Sequence, residues 1–345
     1  MRVAFRVEGE PKIGLGHVMR CLALSQSLVK CGHDVFFFMS KGSQHFCCNR
    51  ADWVGEILSM VDVDKKAEPQ WLIDQCTDLS LDWLVLDGYL FEKAYRHSLQ
   101  SNTIKLAVFD DMNNSGALYA DLVINGSPNA ALHNYQLTAQ NALLAIGPDY
   151  QVLRQEFLQL ANNNWSDRTH LTIMFGGSDP QNLTIRMLQS LQKHKPSMPI
   201  TIITGAAYAE LQNLAYFVKN SDLDIAHHHD CQNVAEVLLT SKLALSAAGG
   251  SQFELLVCAT PSLLVVVADN QKNATQAAVN QGWCQLANNE KLNSDELITQ
   301  CLSLWHQPEL LRTMHKKAVQ FPVVDGAKNI VAMMSEHKMT SDNVQ

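Results

Sequence analysis

Short apolar runs, each about the length of a strand, alternate along this chain with stretches of helical periodicity, and that alternation decides the fold class. In the first half the runs are 3–7, 35–38, 53–58, 83–86, 104–109, 122–124 and 143–146. Near-continuous apolar runs separated by helices point to a parallel sheet covered on both faces, the α/β arrangement. The second half repeats the pattern with 171–175, 200–204, 223–227, 243–246 and 263–267, and helical sequence fills 292–335. No sequence repeat accompanies the repeated architecture. A length of 345 residues exceeds one ordinary core. The reading is therefore α/β, with two Rossmann-like domains facing one cleft, divided by Pro148 and the polar stretch 161–168.

Charge and composition exclude several functions. A formal net charge of −8, with no basic run interleaved with aromatics, argues against nucleic acid as a partner. The longest apolar run, 263–268, is far too short to span a bilayer, and no membrane partner is expected. Arg2 and Arg6 flank a strand-length apolar stretch and not the h-region of a leader. The nine cysteines are odd in number and lack any Cys-x-x-Cys or zinc spacing. A reducing cytoplasm is the expected compartment.

The segment with most chemistry follows the first strand: Gly14-Leu15-Gly16-His17-Val18-Met19-Arg20. Its glycines permit a tight turn and close approach of a ligand to the backbone. The turn lies at the carboxyl end of a strand, where open α/β sheets bind ligands. The positive end of a helix dipole favours an uncharged imidazole beside it, and an uncharged imidazole is what a general base requires. His17 is thus a candidate base. The segment is neither a dinucleotide fingerprint, for want of a third glycine, nor a P-loop, for want of Gly-Lys-Ser/Thr. Arg20, one turn on, either meets a phosphate or serves as an ion-pair partner.

In the second half, Gly176-Gly177-Ser178 and Gly249-Gly250-Ser251 each present backbone N–H groups and a hydroxyl where a helix begins. Such turns hold a diphosphate without a metal. Asp179 is placed to cap the following helix and Pro180 to begin it. Glu254 either receives ribose hydroxyls or completes a capping box with Ser251. Asn270 and Gln271, at a strand end, suit sugar amides and hydroxyls or serve as turn-formers. His227-His228-His229 lacks a completing carboxylate and reads as the loop before a helix at Asn233, so no metal site is assigned. Asp110 and Asp111 are adjacent and cannot both face one ion from a regular strand, which favours a turn or helix-capping role.

Taken in order, these fragments resemble the UDP-sugar hydrolases of pseudaminic acid biosynthesis, which have the two-domain GT-B fold. The resemblance runs through most of 1–285. It rests on the segment from Gly14 to Leu24, on Leu86-Asp-Gly-Tyr89, on Asp110-Asp111, and on the segment from Ile146 to Arg154. It rests further on the segment from Phe175 to Pro180, on Ala248-Gly-Gly-Ser251, on Glu254, and on Ala268-Asp-Asn-Gln271. The resemblance implies hydrolysis of UDP-2,4-diacetamido-2,4,6-trideoxy-β-L-altropyranose to UDP and free sugar, with no cofactor, by a monomer.

Carried over by position, His17 matches the catalytic histidine and Tyr89 an active-site tyrosine. Gly177, Ser178, Asp179, Gly249, Gly250, Ser251, Glu254, Asn270 and Gln271 fall among the UDP-sugar contacts, while Gly14 and Gly16 clear space for the sugar. The organisation expected is a domain at 1–160 carrying His17, a UDP-binding domain at 168–325, and a C-terminal helix and polar tail at 326–345 that crosses back onto the first domain. UDP is a good leaving group, so one base activating water replaces the paired carboxylates of ordinary glycosidases. The alternatives are a GT-B glycosyltransferase using a UDP-amino sugar and a non-catalytic UDP-sugar-binding protein.

Overall fold

A computed structural model describes residues 1–9, 14–48, 50–61, 63–100, 104–160, 164–288 and 292–342. The chain divides into two compact units. Described residues of the first lie within Met1–Glu10, His17–Gln155 and Val324–Gln345, and those of the second within Pro11–Gly16 and Glu156–Val323.

The first unit runs β1 (Arg2–Val7), α1 (Gly16–Lys30), β2 (Asp34–Met39), α2 (Lys41–His45), β3 (Glu56–Ser59) and α3 (Glu68–Asp78). It continues with β4 (Trp83–Asp87), α4 (Lys93–Ser98), β5 (Lys105–Phe109), β6 (Leu122–Asn125), α5 (Tyr135–Thr138) and β7 (Leu143–Ile146). The strands form one parallel sheet of order β3-β2-β1-β4-β5-β6-β7. Alternate residues of each apolar run enter opposite layers, as the period of two requires. Val3, Phe5 and Val7 pack with Val18, Cys21 and Leu24 of α1. Ala4, Leu84 and Leu86 pack on the other face with Leu72 and Cys76 of α3. A C-terminal helix, Gly326–Asp342, belongs to this unit and adds Ile330, Val331 and Met334 to the α1 layer.

The third strand starts later than the sequence predicts, at Glu56 and not at Trp53. Gly55 turns the chain first, with φ +89°, where a Cβ would come 2.9 Å from Val35 Cγ1. Trp53, two residues before Gly55, lies against Phe37 with ring centroids 4.6 Å apart. Its bulk and apolarity serve the core without a strand.

The second unit runs β8 (His170–Met174), α6 (Leu183–His194), β9 (Ile200–Thr204), α7 (Leu211–Asn220), β10 (Ile225–His229), α8 (Val234–Thr240) and β11 (Ser241–Ala247). It ends with α9 (Ser251–Val257), β12 (Ser262–Val265), α10 (Lys272–Gln281), β13 (Cys284–Leu286), α11 (Ser294–Trp305) and α12 (Pro308–Ala318). Its sheet is parallel, in the order β10-β9-β8-β11-β12-β13.

Two expectations are corrected here. The three histidines are not a loop; they complete β10, paired as His227↔Ile202, His228↔Ile203 and His229↔Thr204. An edge strand tolerates such polar residues. The helix after β8 begins at Leu183 and not at Pro180, because Asp179 and Asn182 take left-handed φ values of 42° and 50° and add a turn.

In each sheet the strand order reverses direction once, between β1 and β4 and between β8 and β11. That switch point opens a crevice at the carboxyl ends of the strands. No helix among the described residues is long and apolar enough to cross a membrane.

Candidate active site

In the first unit, β1, β4 and β5 are neighbours, and the residues that follow each of them meet. His17 comes from the first turn of α1, Asp87 is the last residue of β4, and Asp111 follows β5 by two residues. His17 Nδ1 lies 2.7 Å from Asp87 Oδ1. Arg20 donates from Nε to Asp87 Oδ2 at 2.9 Å, from Nη2 to Asp87 Oδ1 at 2.7 Å, and from Nη1 to Asp111 Oδ1 at 2.7 Å. The Tyr89 hydroxyl donates to Asp111 Oδ2 at 2.8 Å. The Tyr89 ring stands edge-on to His17, with centroids 5.1 Å apart and planes at 84°. Arg20 also stacks over Phe109, 4.6 Å from the ring centroid.

Asp87 is 1% exposed and fully engaged. Burial on its own would raise its pKa, but Arg20 and His17 outweigh it and hold the carboxyl well below the usual carboxylate range. Asp111 is lowered in the same way: burial opposes, and the Arg20 guanidinium prevails. The buried Cys21 thiol donates to Asp87 Oδ2 at 3.6 Å, its own pKa pushed up chiefly by burial. An ionised Asp87 accepts a hydrogen bond from His17 Nδ1–H, which fixes the imidazole with its Nδ1–H toward the carboxylate and leaves Nε2 as the basic nitrogen. This is the tautomer a general base needs.

His17, Arg20, Asp87, Tyr89 and Asp111 line a cavity of about 530 Å³, which continues between the loops after β4 and β5 past Phe91, Met112 and Asn114. Those loops are tied together by Arg96 of α4, which is 4% exposed. Its guanidinium donates to the carbonyl oxygens of Phe91, Ser115 and Ala117 and to the Ser115 hydroxyl.

In the second unit, β8, β11 and β12 are adjacent, so three predicted turns share one sheet edge. Gly176, Gly177 and Ser178 follow β8, with Gly176 at φ +82°. Gly249, Gly250 and Ser251 lead into α9, and Asn270 and Gln271 follow β12 in a short 3-10 turn. A Cβ on Gly249 would meet Gln271 Nε2 at 3.5 Å, so these two turns touch. Asp179 faces its own helix: its oxygens accept from the N–H groups of Leu183 and Thr184 at 2.8 and 2.7 Å. The N-cap of α9 is Gly250, so Ser251 is not the N-cap residue that a capping box with Glu254 requires. Gly14, with φ +87°, and Gly16 group with this unit, and a Cβ on Gly14 would sit 3.9 Å from Ser178 Oγ.

Sequence reasoning passed over Asp87, Arg96 and Gly205, and it read the Asp110-Asp111 pair only in part. Asp110 does hold a turn, accepting from Asn113 N and the Tyr135 hydroxyl at 2.7 Å each. Asp111 does not; it joins the His17 cluster. The available signal was position, since Asp87 and Asp111 each stand at the end of an apolar run. Gly205 is required because a Cβ there would lie 2.5 Å from the Gly177 Cα.

Two successive Rossmann-like units with parallel sheets define a protein of the GT-B fold. Residues 171–330 match the glycosyltransferase family 28 C-terminal domain. An uncharacterized protein of Methanocaldococcus jannaschii is 27% identical over 292 residues, covering 79% of this chain; the chain spans 56% of that relative's length. The UDP-2,4-diacetamido-2,4,6-trideoxy-beta-L-altropyranose hydrolase of Campylobacter jejuni is 26% identical over 283 residues, 81% of this chain and 96% of the relative. The likeness read from the sequence motifs therefore extends over most of the chain. Among solved structures, Acinetobacter baumannii MurG shares the fold with a TM-score of 0.64 at 14% identity, covering 97% of this chain and 99% of its own.

Proposed function

We propose that this protein hydrolyses a UDP-2,4-diacetamido-2,4,6-trideoxy sugar to UDP and the free sugar, by inverting attack of water at the anomeric carbon, as a step of pseudaminic acid biosynthesis. The observation that carries the reading is the His17–Asp87 pair beside a cavity, at 2.7 Å. His17 Nε2 takes a proton from water as the water oxygen bonds to the anomeric carbon. The bond from that carbon to the UDP oxygen breaks, and its electron pair leaves with the diphosphate. Tyr89 positions water or sugar.

The diphosphate is assigned to the turns at Gly177-Ser178 and Gly249-Gly250-Ser251, whose N–H groups stabilise the charge that develops on departure. Glu254, Asn270 and Gln271 are assigned to ribose and sugar hydroxyls. Arg20, with its three donors on two aspartates, is assigned to holding Asp87 in place and not to phosphate. Asp179 is assigned to the helix start. The similarity to the Campylobacter jejuni hydrolase over 81% of the chain supports the choice of substrate.

The family 28 match favours one rival, a glycosyltransferase that passes the sugar of a UDP-amino sugar to an acceptor. One experiment separates them. Incubation with UDP-diacetamido sugars in ¹⁸O-water, followed by NMR and mass spectrometry, is expected to release UDP with no acceptor present and to label the sugar's anomeric oxygen. Label in UDP would mean attack at phosphorus and would overturn the mechanism. Release only on adding an acceptor would establish the transferase.

A further inference from the structure

Asp111 has no part in the hydrolytic scheme above, yet it holds two of the groups around the base. One oxygen accepts from Arg20 Nη1 at 2.7 Å and the other from the Tyr89 hydroxyl at 2.8 Å. Arg20 in turn grips Asp87, and Asp87 orients His17. Tyr89 closes the ring by its edge contact with the His17 imidazole. We infer that Asp111 is a positioning residue that, through Arg20 and Tyr89, sets both the charge balance at His17 and the place of the tyrosine.

The charge argument is direct. Asp87 and Asp111 carry two negative charges against the one positive charge of Arg20, so the cluster is short of one positive charge while His17 is neutral. Protonation of His17 completes the balance. Were Asp111 uncharged, Arg20 would neutralise Asp87 alone, and an imidazolium at His17 would gain less. Asp111 thus shares with Asp87 the one guanidinium that faces both carboxylates.

Other charged or titratable groups near His17 do not supply this effect. Cys21, from α1, is a protonated thiol on Asp87. Asp110, from the loop after β5, is bonded to Asn113 and Tyr135. Arg96 of α4 is spent on backbone carbonyls, and Glu92 and Lys93 line the same cavity without joining the ring of hydrogen bonds.

The placement argument concerns Tyr89, which is 55% exposed on the loop after β4. An exposed side chain loses rotamer freedom when it is fixed, and the hydrogen bond to a buried-side carboxylate offsets that loss. Asp111 thus couples the tyrosine to the same carboxylate that balances Arg20.

This inference rests on His17 as the base, but its test requires no substrate. Imidazole ¹H–¹⁵N NMR follows His17, assigned by the signal lost in His17→Gln. In the wild-type protein the neutral ring is expected to carry its proton on Nδ1. Asp111→Asn, which keeps an acceptor and removes the charge, is expected to lower the His17 titration midpoint by about one pH unit. Tyr89→Phe, which leaves the Asp111 charge in place, is expected to leave the midpoint where it is. An unchanged midpoint in Asp111→Asn overturns the inference. If Asp111→Asn fails to fold, Asp111→Ser is the second variant, with the same fall expected. With UDP-sugar present, the acid limb of kcat/KM should move with the midpoint while the UDP affinity holds. A wild-type protein that released no UDP would refute the hydrolytic reading, and the midpoint would still decide this one.

Discussion

His17 and Asp87 stand 70 residues apart in sequence and 2.7 Å apart in space. What joins them is the pairing of β1 with β4, whose register sets Val7 beside Asp87. The chain leaves β1 at Val7 and returns at the turn that opens α1, so the imidazole comes back over the end of the neighbouring strand. A switch point between adjacent parallel strands is the place where two such distant residues converge. The resulting pair has the elements of a base and its orienter.

Asp87→Asn tests that relationship. The amide presents either an N–H or an oxygen to His17, and it no longer favours the Nδ1–H tautomer. Turnover is expected to fall by about 10⁴-fold, as loss of the orienting carboxylate does elsewhere. UDP affinity by calorimetry should change little, since the nucleotide is assigned to the second unit. His17→Asn should abolish turnover with UDP binding retained. Full activity in either variant would remove the pair from the chemistry.

Acid should destabilise the first unit through the same residues. Asp87 and Asp111 have pKa values below those of the unfolded chain. Each therefore contributes stability that is complete above the unfolded value, near pH 4, and is lost as pH falls through the folded one. Urea unfolding between pH 7 and pH 3 should show stability declining below about pH 4. Asp111→Asn should be less stable at pH 7 and should flatten that decline. An identical acid slope in the variant would show that folding does not lower the Asp111 pKa.

Much of the fold was legible because parallel strands buried on both faces are near-continuous apolar runs, as at 35–38 and 83–86, and helical sequence separates them. His17 stood out as a candidate for a similar reason, since it follows a strand at the carboxyl end, where open α/β sheets bind ligands. Asp87 escaped notice because a carboxylate at the end of a strand has no partner within reach in sequence; Arg20 and His17 become its partners only through strand pairing. Asp111 was hidden by Asp110, whose turn-making role is what adjacent aspartates usually do. The histidines of β10 were misplaced because edge strands relax the apolar rule on which the other strands were found.

Gly205→Ala probes the turn assigned to the diphosphate. The new methyl would meet the Cα of Gly177 at 2.5 Å and its carbonyl oxygen at 2.6 Å. Backbone cannot rotate away as a side chain does, so the Gly176-Gly177-Ser178 turn must shift. A cost of about 1–3 kcal/mol is expected from overpacking, read by urea denaturation. Weakened UDP binding should accompany it, whereas Gly250→Ala, where a Cβ meets nothing within 4 Å, should retain its stability. Unchanged UDP affinity in Gly205→Ala would detach that turn from nucleotide binding.

Arg168 offers the opposite control, a buried charge remote from the proposed chemistry. It precedes β8, at the amino end of the strands, while the glycine turns lie at the carboxyl end. Its guanidinium donates to the carbonyl oxygens of Leu238 at 3.1 Å and Ser241 at 2.6 Å, to that of Cys258, and to the Thr260 hydroxyl at 3.1 Å. Burial lowers its pKa to about 10, so keeping the charge there costs free energy that these acceptors offset. Arg168→Met fills similar space and donates nothing, which leaves buried carbonyls without the donor. Each stranded acceptor costs about 1–3 kcal/mol, and relief from desolvating the charge returns part of that, so a net loss of about 2–4 kcal/mol is expected in urea unfolding. Turnover per folded molecule and UDP affinity should match the wild type. A stability equal to the wild type would mean that the carbonyls find other donors, and a selective loss of UDP binding would mean that the amino end of the sheet communicates with the turns at its far edge.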